Sequence, residues 1–185
     1  MKESLLMLFN YVKNPKEVGA IAVSSKYLAH EIIKNIDFKH SKQILELGPG
    51  LGIFTKAILH EASPDAQIIC FEVNKRFCTY LNKNLADRRL IVVHGSAENI
   101  RKKLRQFHVQ KADCIVSGLP FRNFSEKKQK KVLMEIKNAL RQRGRFILFQ
   151  YTNNLKEMLD VYFNNVQKIV VPLKIPPCFV YVCKN

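Results

Sequence analysis

Short apolar runs alternate with longer segments of helical period along this chain. The runs Gln43–Gly48, Gln67–Val73, Leu90–His94, Ala112–Ser117 and Arg145–Tyr151 read as strands, followed by Val166–Pro172 and Phe179–Lys184. Between them, helical spacing covers about Ile53–Glu61, Lys75–Ala86, Ala97–Phe107, Glu126–Arg141 and Asn154–Phe163. The pattern is clearest in the fourth, where Val132, Leu133, Ile136 and Leu140 form one stripe and Lys127, Lys128, Lys130, Lys131 and Lys137 take the other faces. Unbroken apolar runs such as "QIICF" and "DCIVSG" suit parallel strands covered on both faces, and the last two runs suit an antiparallel closing pair. The expected fold is an α/β, Rossmann-like seven-stranded sheet, mostly parallel, with helices on both faces. Right-handed crossovers then gather the C-terminal ends of the parallel strands at one edge, where ligands bind.

Two further helical patterns precede the sheet. Glu3–Val12 has apolar residues at Leu5, Leu8, Phe9 and Val12, with a second apolar face at Leu6 and Met7. Ser25–Ile36 opens on a capping serine and aligns Ala29, Ile32, Ile33 and Ile36. The expected division is residues 1–38 as N-terminal helices and 39–185 as the sheet domain. The apolar run Leu5–Phe9 has no small-residue cleavage site after it, so no secretory signal is expected.

The sequence "KQILELGPGLG" (42–52) puts Gly48, Gly50 and Gly52 directly after the first strand. Glycine permits conformations and close approaches that side chains forbid, so this turn is a candidate cofactor cradle. Its spacing is G-x-G-x-G, not the G-x-G-x-x-G of nicotinamide enzymes. Glu72, 20 residues after Gly52, ends the second strand, where a carboxylate can accept hydrogen bonds from ribose hydroxyls. Glu46, just before the turn, would repel a pyrophosphate but attract a cationic amino acid group. S-adenosylmethionine carries a ribose, a sulfonium and an ammonium without phosphate, so the charge pattern favours it over a dinucleotide.

Composition adds one strong feature. Thirty-one Lys and Arg against 15 Asp and Glu give a net charge of +16, which concentrates phosphate-bearing partners, nucleic acid or an anionic lipid surface. The five cysteines are irregularly spaced and the five histidines make no metal pattern, so a reduced cytoplasmic chain without metal is expected.

"LELGPGLGIFT", "FEVN" and "GSAENI" resemble the class I S-adenosylmethionine-dependent methyltransferases, in the branch of the ribosomal RNA adenine dimethylases. "NPKEVGAIAVSSKYLA" (14–29), "VSGLPF" (116–121), "FILFQYT" (146–152) and "IPPCFVYVCKN" (175–185) resemble the bacterial phospholipid N-methyltransferases still more. The resemblance implies Glu46, Gly48, Gly50, Gly52, Glu72, Val73, Ser96, Ala97 and Ser117 as cofactor-binding residues. It implies Ser117, Gly118, Leu119, Pro120 and Phe121 as the acceptor loop. The RNA enzymes usually carry aspartate where this chain has Ser96, which leaves Glu98 or main-chain carbonyls as alternatives. They also carry Asn-x-Pro-Tyr/Phe where this chain has Gly118 in the Asn position. A Ser117 hydroxyl suits an alkylamine, and Phe121 could face a methylammonium. Tyr27, Tyr151 and Tyr181 could join such a cage or serve as packing.

Two acceptors stay open. One is the amine of phosphatidylethanolamine, taken by a monomeric enzyme held peripherally at an anionic membrane through its N-terminal helix. The other is an RNA adenine, although the RNA enzymes carry a further helical domain and this sequence ends just past its last strand. No histidine or carboxylate beside "SGLPF" stands out as a general base.

Overall fold

The computed structural model describes residues 27–151, 155–171 and 178–185. The expected helix Glu3–Val12 lies outside them, as does the serine cap at Ser25. Helix occupies residues 27–33, and the chain then tightens through Asn35 N–H to Ile32 C=O and Ile36 N–H to Ile33 C=O bonds.

Seven strands follow: β1 Gln43–Leu47, β2 Gln67–Glu72, β3 Leu90–His94, β4 Ala112–Ser117, β5 Leu140–Gln150, β6 Asn165–Val171 and β7 Cys178–Lys184. The helices among them are α1 Ile53–Glu61, α2 Lys75–Asn84, α3 Ile100–Leu104, α4 Glu126–Ala139 and α5 Lys156–Tyr162. The sheet order is β3-β2-β1-β4-β5-β7-β6. β1 to β5 are parallel, and β7 runs antiparallel between β5 and β6. The expected α/β sheet with an antiparallel closing pair is therefore present.

Two elements depart furthest from expectation. The stretch Ala97–Phe107 is three short pieces, with 3-10 turns at Ala97–Asn99 and Arg105–Phe107 on either side of α3. Asn99, at φ −127° and ψ 24°, leaves helical geometry and breaks the run. β5 begins at Leu140 because α4 stops at Ala139, and its register against β4 shifts between Ala112 and Cys114.

Side chains alternate across the sheet and bury two separate layers. On one face Leu28, Ile32 and Ile36 join Ile58 and Leu59 of α1 over Ile44, Cys70, Val116 and Ile147. Residues 28–36 are thus packed onto the sheet as part of this layer. On the other face Leu104, Leu133, Ile136 and Leu159 cover Leu45, Leu47, Ile115 and Leu148.

Main-chain bonds carry the sheet past its strand ends. Gly48 N–H donates to Phe71 C=O, Gly118 N–H to Leu47 C=O and Gly95 N–H to Glu72 C=O, each at 2.9 Å. They lock the glycine turn against β2 and the loop after β4 against β1.

Gly52 is the tightest of these positions. Its φ is +78°, and a Cβ there would lie 2.7 Å from Leu81 Cδ2 and 2.9 Å from Leu85 Cδ1. Gly52→Ala is expected to lower unfolding stability by about 2–4 kcal/mol, the sum of left-handed strain and overpacking against α2. Urea denaturation measures this, and an unchanged midpoint would contradict the packing described.

Candidate active site

The glycine turn joins β1 to α1 with Gly48, Gly50 and Gly52 all at positive φ. Just before it, Glu46 is 1% exposed, on the α1 side of β1. Its Oε2 accepts from the Thr55 hydroxyl at 2.6 Å and from the Cys70 thiol at 3.4 Å. Its Oε1 is buried with no hydrogen-bond partner. Burial pushes the carboxyl up to about 7, against the bonds from Thr55 and Cys70. A buried acceptor of this kind costs free energy until a donor arrives, and a cation is the donor that would stabilise it most.

Glu72 closes the opposite side of the turn. Its Oε1 accepts from Asn74 N–H at 2.8 Å and its Oε2 from Gly50 N–H at 3.2 Å. The carboxylate is fixed by the backbone while each oxygen keeps a second lone pair for a hydroxyl. Val73, next in the chain, is 66% exposed and presents an apolar surface beside it. Ser96 caps the turn Ala97–Asn99 by accepting from Glu98 N–H at 3.2 Å. The Ala97 side chain is buried, so it can meet a ligand only through its main chain. Glu98 is engaged elsewhere: it pairs with Lys131 at 3.1 Å and Lys128 at 3.5 Å, and Lys131 above all holds its carboxyl below the ordinary value.

The residues Glu46, Gly48, Gly50, Gly52, Glu72, Val73, Ser96 and Ala97 thus line one stretch of the sheet edge. A buried carboxyl with one unpartnered oxygen, a glycine-rich turn and a second carboxylate at the next strand end fit the ammonium and ribose of S-adenosylmethionine.

The loop after β4 departs from expectation in two ways. Ser117 is fully buried, and its hydroxyl accepts from Leu119 N–H at 3.2 Å, so it shapes the turn and does not face the crevice. Phe121 is also fully buried, in the layer under α4, with Phe124 at 5.7 Å between ring centroids. Its ring is core packing and cannot stack on an acceptor. Leu119 C=O is taken by Gln150 Nε2 at 2.9 Å, while Gln129 Nε2 donates to Phe121 C=O and Phe124 C=O at 2.8 and 3.1 Å. Pro120, half-buried, turns the chain into this braced segment. At Gly118 a Cβ would meet Gly48 O at 3.0 Å and Phe149 Cε1 at 3.5 Å. Tyr181 is fully buried, whereas Tyr27 and Tyr151 are exposed. Thr55, Gln129, Phe149 and Gln150 are contributors that sequence reasoning missed. The signal for Thr55 was present, since it lies three residues after the last glycine of the turn and on the same helix face as its cap.

This strand order, with a glycine turn after β1 and an acidic residue ending β2, defines a class I S-adenosylmethionine-dependent methyltransferase. Similar folds include an S-adenosylmethionine-dependent methyltransferase from Aquifex aeolicus, at TM-score 0.60 and 15% identity, covering 84% of this chain and 88% of that one. A putative O-methyltransferase from Nostoc punctiforme aligns at TM-score 0.66 and 17% identity, covering 83% and 55%. The sequence profile of the ribosomal RNA adenine dimethylases matches residues 13–159. An ornithine lipid N-methyltransferase from Singulisphaera acidiphila is 30% identical over 193 aligned residues, covering 100% of this chain and 97% of that protein. A ribosomal RNA small subunit methyltransferase A from a Hydrogenobaculum species is 30% identical over 80 residues, covering 43% of this chain and 31% of that protein. The chain belongs to the ribosomal RNA adenine dimethylase family, and it is a methyltransferase that uses S-adenosylmethionine.

The state of Glu46 sets a pH dependence. Its carboxyl is raised from 4.5 to about 7. Without a bound cation, the stability this adds is complete below about 4.5 and is lost as pH rises through about 7. A ligand ammonium prefers the ionised form, so binding releases a proton and strengthens with rising pH. S-adenosylhomocysteine is expected to bind about tenfold more tightly at pH 8 than at pH 6, with Glu46→Gln flattening the profile and weakening binding at pH 8. Calorimetry in buffers of different ionisation enthalpy tests this. An affinity constant across that range, with no proton released, would contradict it.

Proposed function

We propose that this methyltransferase acts on the primary amine of a membrane lipid headgroup, with phosphatidylethanolamine as substrate. When bound, S-adenosylmethionine supplies an electrophilic methyl carbon on a sulfonium. In this reading Glu46 receives its ammonium, Glu72 its ribose hydroxyls, Val73 the face of its base, and the Ser96–Ala97 main chain the base edge. In-line displacement leaves the protein to aim a neutral nitrogen lone pair and to exclude water.

The observation that carries the choice is Gly118. An adenine is gripped by an amide side chain in the RNA enzymes that this sequence resembles, and here that side chain is missing. A Cβ at Gly118 already meets Gly48 O at 3.0 Å, tighter than an ordinary contact. Gly118 therefore lets the loop after β4 close onto the glycine turn and presents no amide to a base edge, which suits an alkylamine better than a purine. A lipid N-methyltransferase that matches this chain over its whole length supports the same class of acceptor. The net charge of +16 would hold such an enzyme at an anionic bilayer surface. Among the described residues no helix is long and apolar enough to cross a membrane, which is consistent with peripheral attachment.

Incubation of the purified chain with methyl-labelled cofactor and vesicles of phosphatidylethanolamine with phosphatidylglycerol tests the reading. Label is expected in the chloroform-soluble lipid. Label that enters ornithine lipid and not phosphatidylethanolamine would move the headgroup while keeping a lipid amine. Label found only in added ribosomal RNA would overturn the lipid reading.

A further inference from the structure

Three aromatic rings stand together on the face of the sheet that carries Glu46. Phe54 on α1 and Phe149 on β5 have centroids 5.2 Å apart, inclined at 57°. Tyr151 meets Phe149 edge-on at 6.2 Å and 88°. Phe54 and Phe149 are half-buried, and Tyr151 is 53% exposed.

The strand register places these rings. Glu46 pairs with Val116, and Val116 pairs with Ile147. Since side chains alternate, Glu46, Val116 and Ile147 point to one face, and the next positions outward on that face are Gly118, Phe149 and Tyr151. Phe54 is the residue beside Thr55, which bonds Glu46. The rings therefore lie on the same sheet face as the buried carboxylate, toward the edge where the glycine turn and the loop after β4 meet. Gly118 sits between the glycine turn and these rings, since a Cβ there would lie 3.0 Å from Gly48 O and 3.5 Å from Phe149 Cε1. Phe121 belongs to the opposite layer.

We propose that Phe149 and Tyr151, braced by Phe54, form the wall that receives the acceptor's ammonium group and favours it more with each methyl it gains. The proposal rests on the lipid-amine reading and names the residues that recognise the headgroup. A primary ammonium is strongly hydrated and seeks hydrogen-bond acceptors, which aromatic faces supply poorly. Each added methyl lowers that hydration and adds a polarised CH surface that packs on a ring. The ring quadrupole attracts the cation throughout. A wall of this chemistry retains mono- and dimethylated headgroups for further rounds and fits a trimethylammonium product best.

The test uses the full chain with phosphocholine and phosphoethanolamine as soluble probes. Calorimetry in the presence of S-adenosylhomocysteine is expected to find phosphocholine bound about threefold or more tightly than phosphoethanolamine. Phe149→Leu and the exposed Tyr151→Leu are each expected to abolish that preference while leaving the affinity for S-adenosylhomocysteine within about twofold. Turnover on phosphatidylethanolamine by the same variants should shift the products toward the monomethyl lipid. A smaller preference in the unaltered protein, or a preference that survives both substitutions, would overturn the proposal. Methylation of lipid amines without any such preference would remove the aromatic wall and keep the lipid reading. A choline preference in a chain that methylates only RNA would remove the lipid reading, and with it the proposal.

Discussion

The buried carboxylate of Glu46 is the constraint around which the site is arranged. Taking a carboxyl to 1% exposure costs several kcal/mol, and one hydroxyl and one thiol, both on Oε2, offset only part of it. Well-packed apolar side chains on every other inward position of β1 would make Leu or Ile the more stable choice there. The chain keeps instead an acceptor with an unpaired oxygen at the foot of a glycine turn. In the proposed reading an entering cation offsets that cost, which favours an aminoacyl nucleoside over a phosphate-bearing one.

The two faces of the sheet divide the labour. The face under α3, α4 and α5 is close-packed and includes Phe121, Leu148 and Tyr181, so it supplies rigidity beneath the loop after β4. The other face holds Glu46, Thr55 and the half-buried rings of Phe54 and Phe149. Gln129 and Gln150 connect the layers to the loop by bonding its carbonyls, which fixes the main chain at Leu119, Phe121 and Phe124 without using an acceptor-facing group. Glu98 adds a tie from the β3 end to α4 through Lys128 and Lys131, and Lys128 in turn lies 4.4 Å over the Phe124 ring. The ends of β1, β2 and β3 and the loop after β4 are thus parts of one braced edge.

Much of the architecture was legible in the sequence because strand runs, glycine positions and the acidic strand ends are local signals. "QIICFE" cannot be read as a one-sided strand, and "ELGPGLG" can hardly be anything but a strand-to-helix turn. What was not legible depends on register. Whether Phe121 or Phe149 faces the crevice turns on which parity of β4 and β5 aligns with Glu46, and no window of a single strand contains that information. The Ser117 hydroxyl looked available because serine ends a strand, yet the turn that follows folds Leu119 N–H back onto it. The early start of β5 likewise follows from its pairing with β4, which overrides local helical period.

In the proposed arrangement cofactor and acceptor meet on the α1 face of the sheet edge, between Glu46 and Phe149. A crystal structure with S-adenosylhomocysteine and phosphoethanolamine tests it most directly. The account predicts the homocysteine ammonium within hydrogen-bonding distance of Glu46 Oε1 and the acceptor nitrogen against the Phe149 ring. An acceptor seated beside Phe121 in the opposite layer, or a Glu46 that contacts no part of the nucleoside, would contradict it.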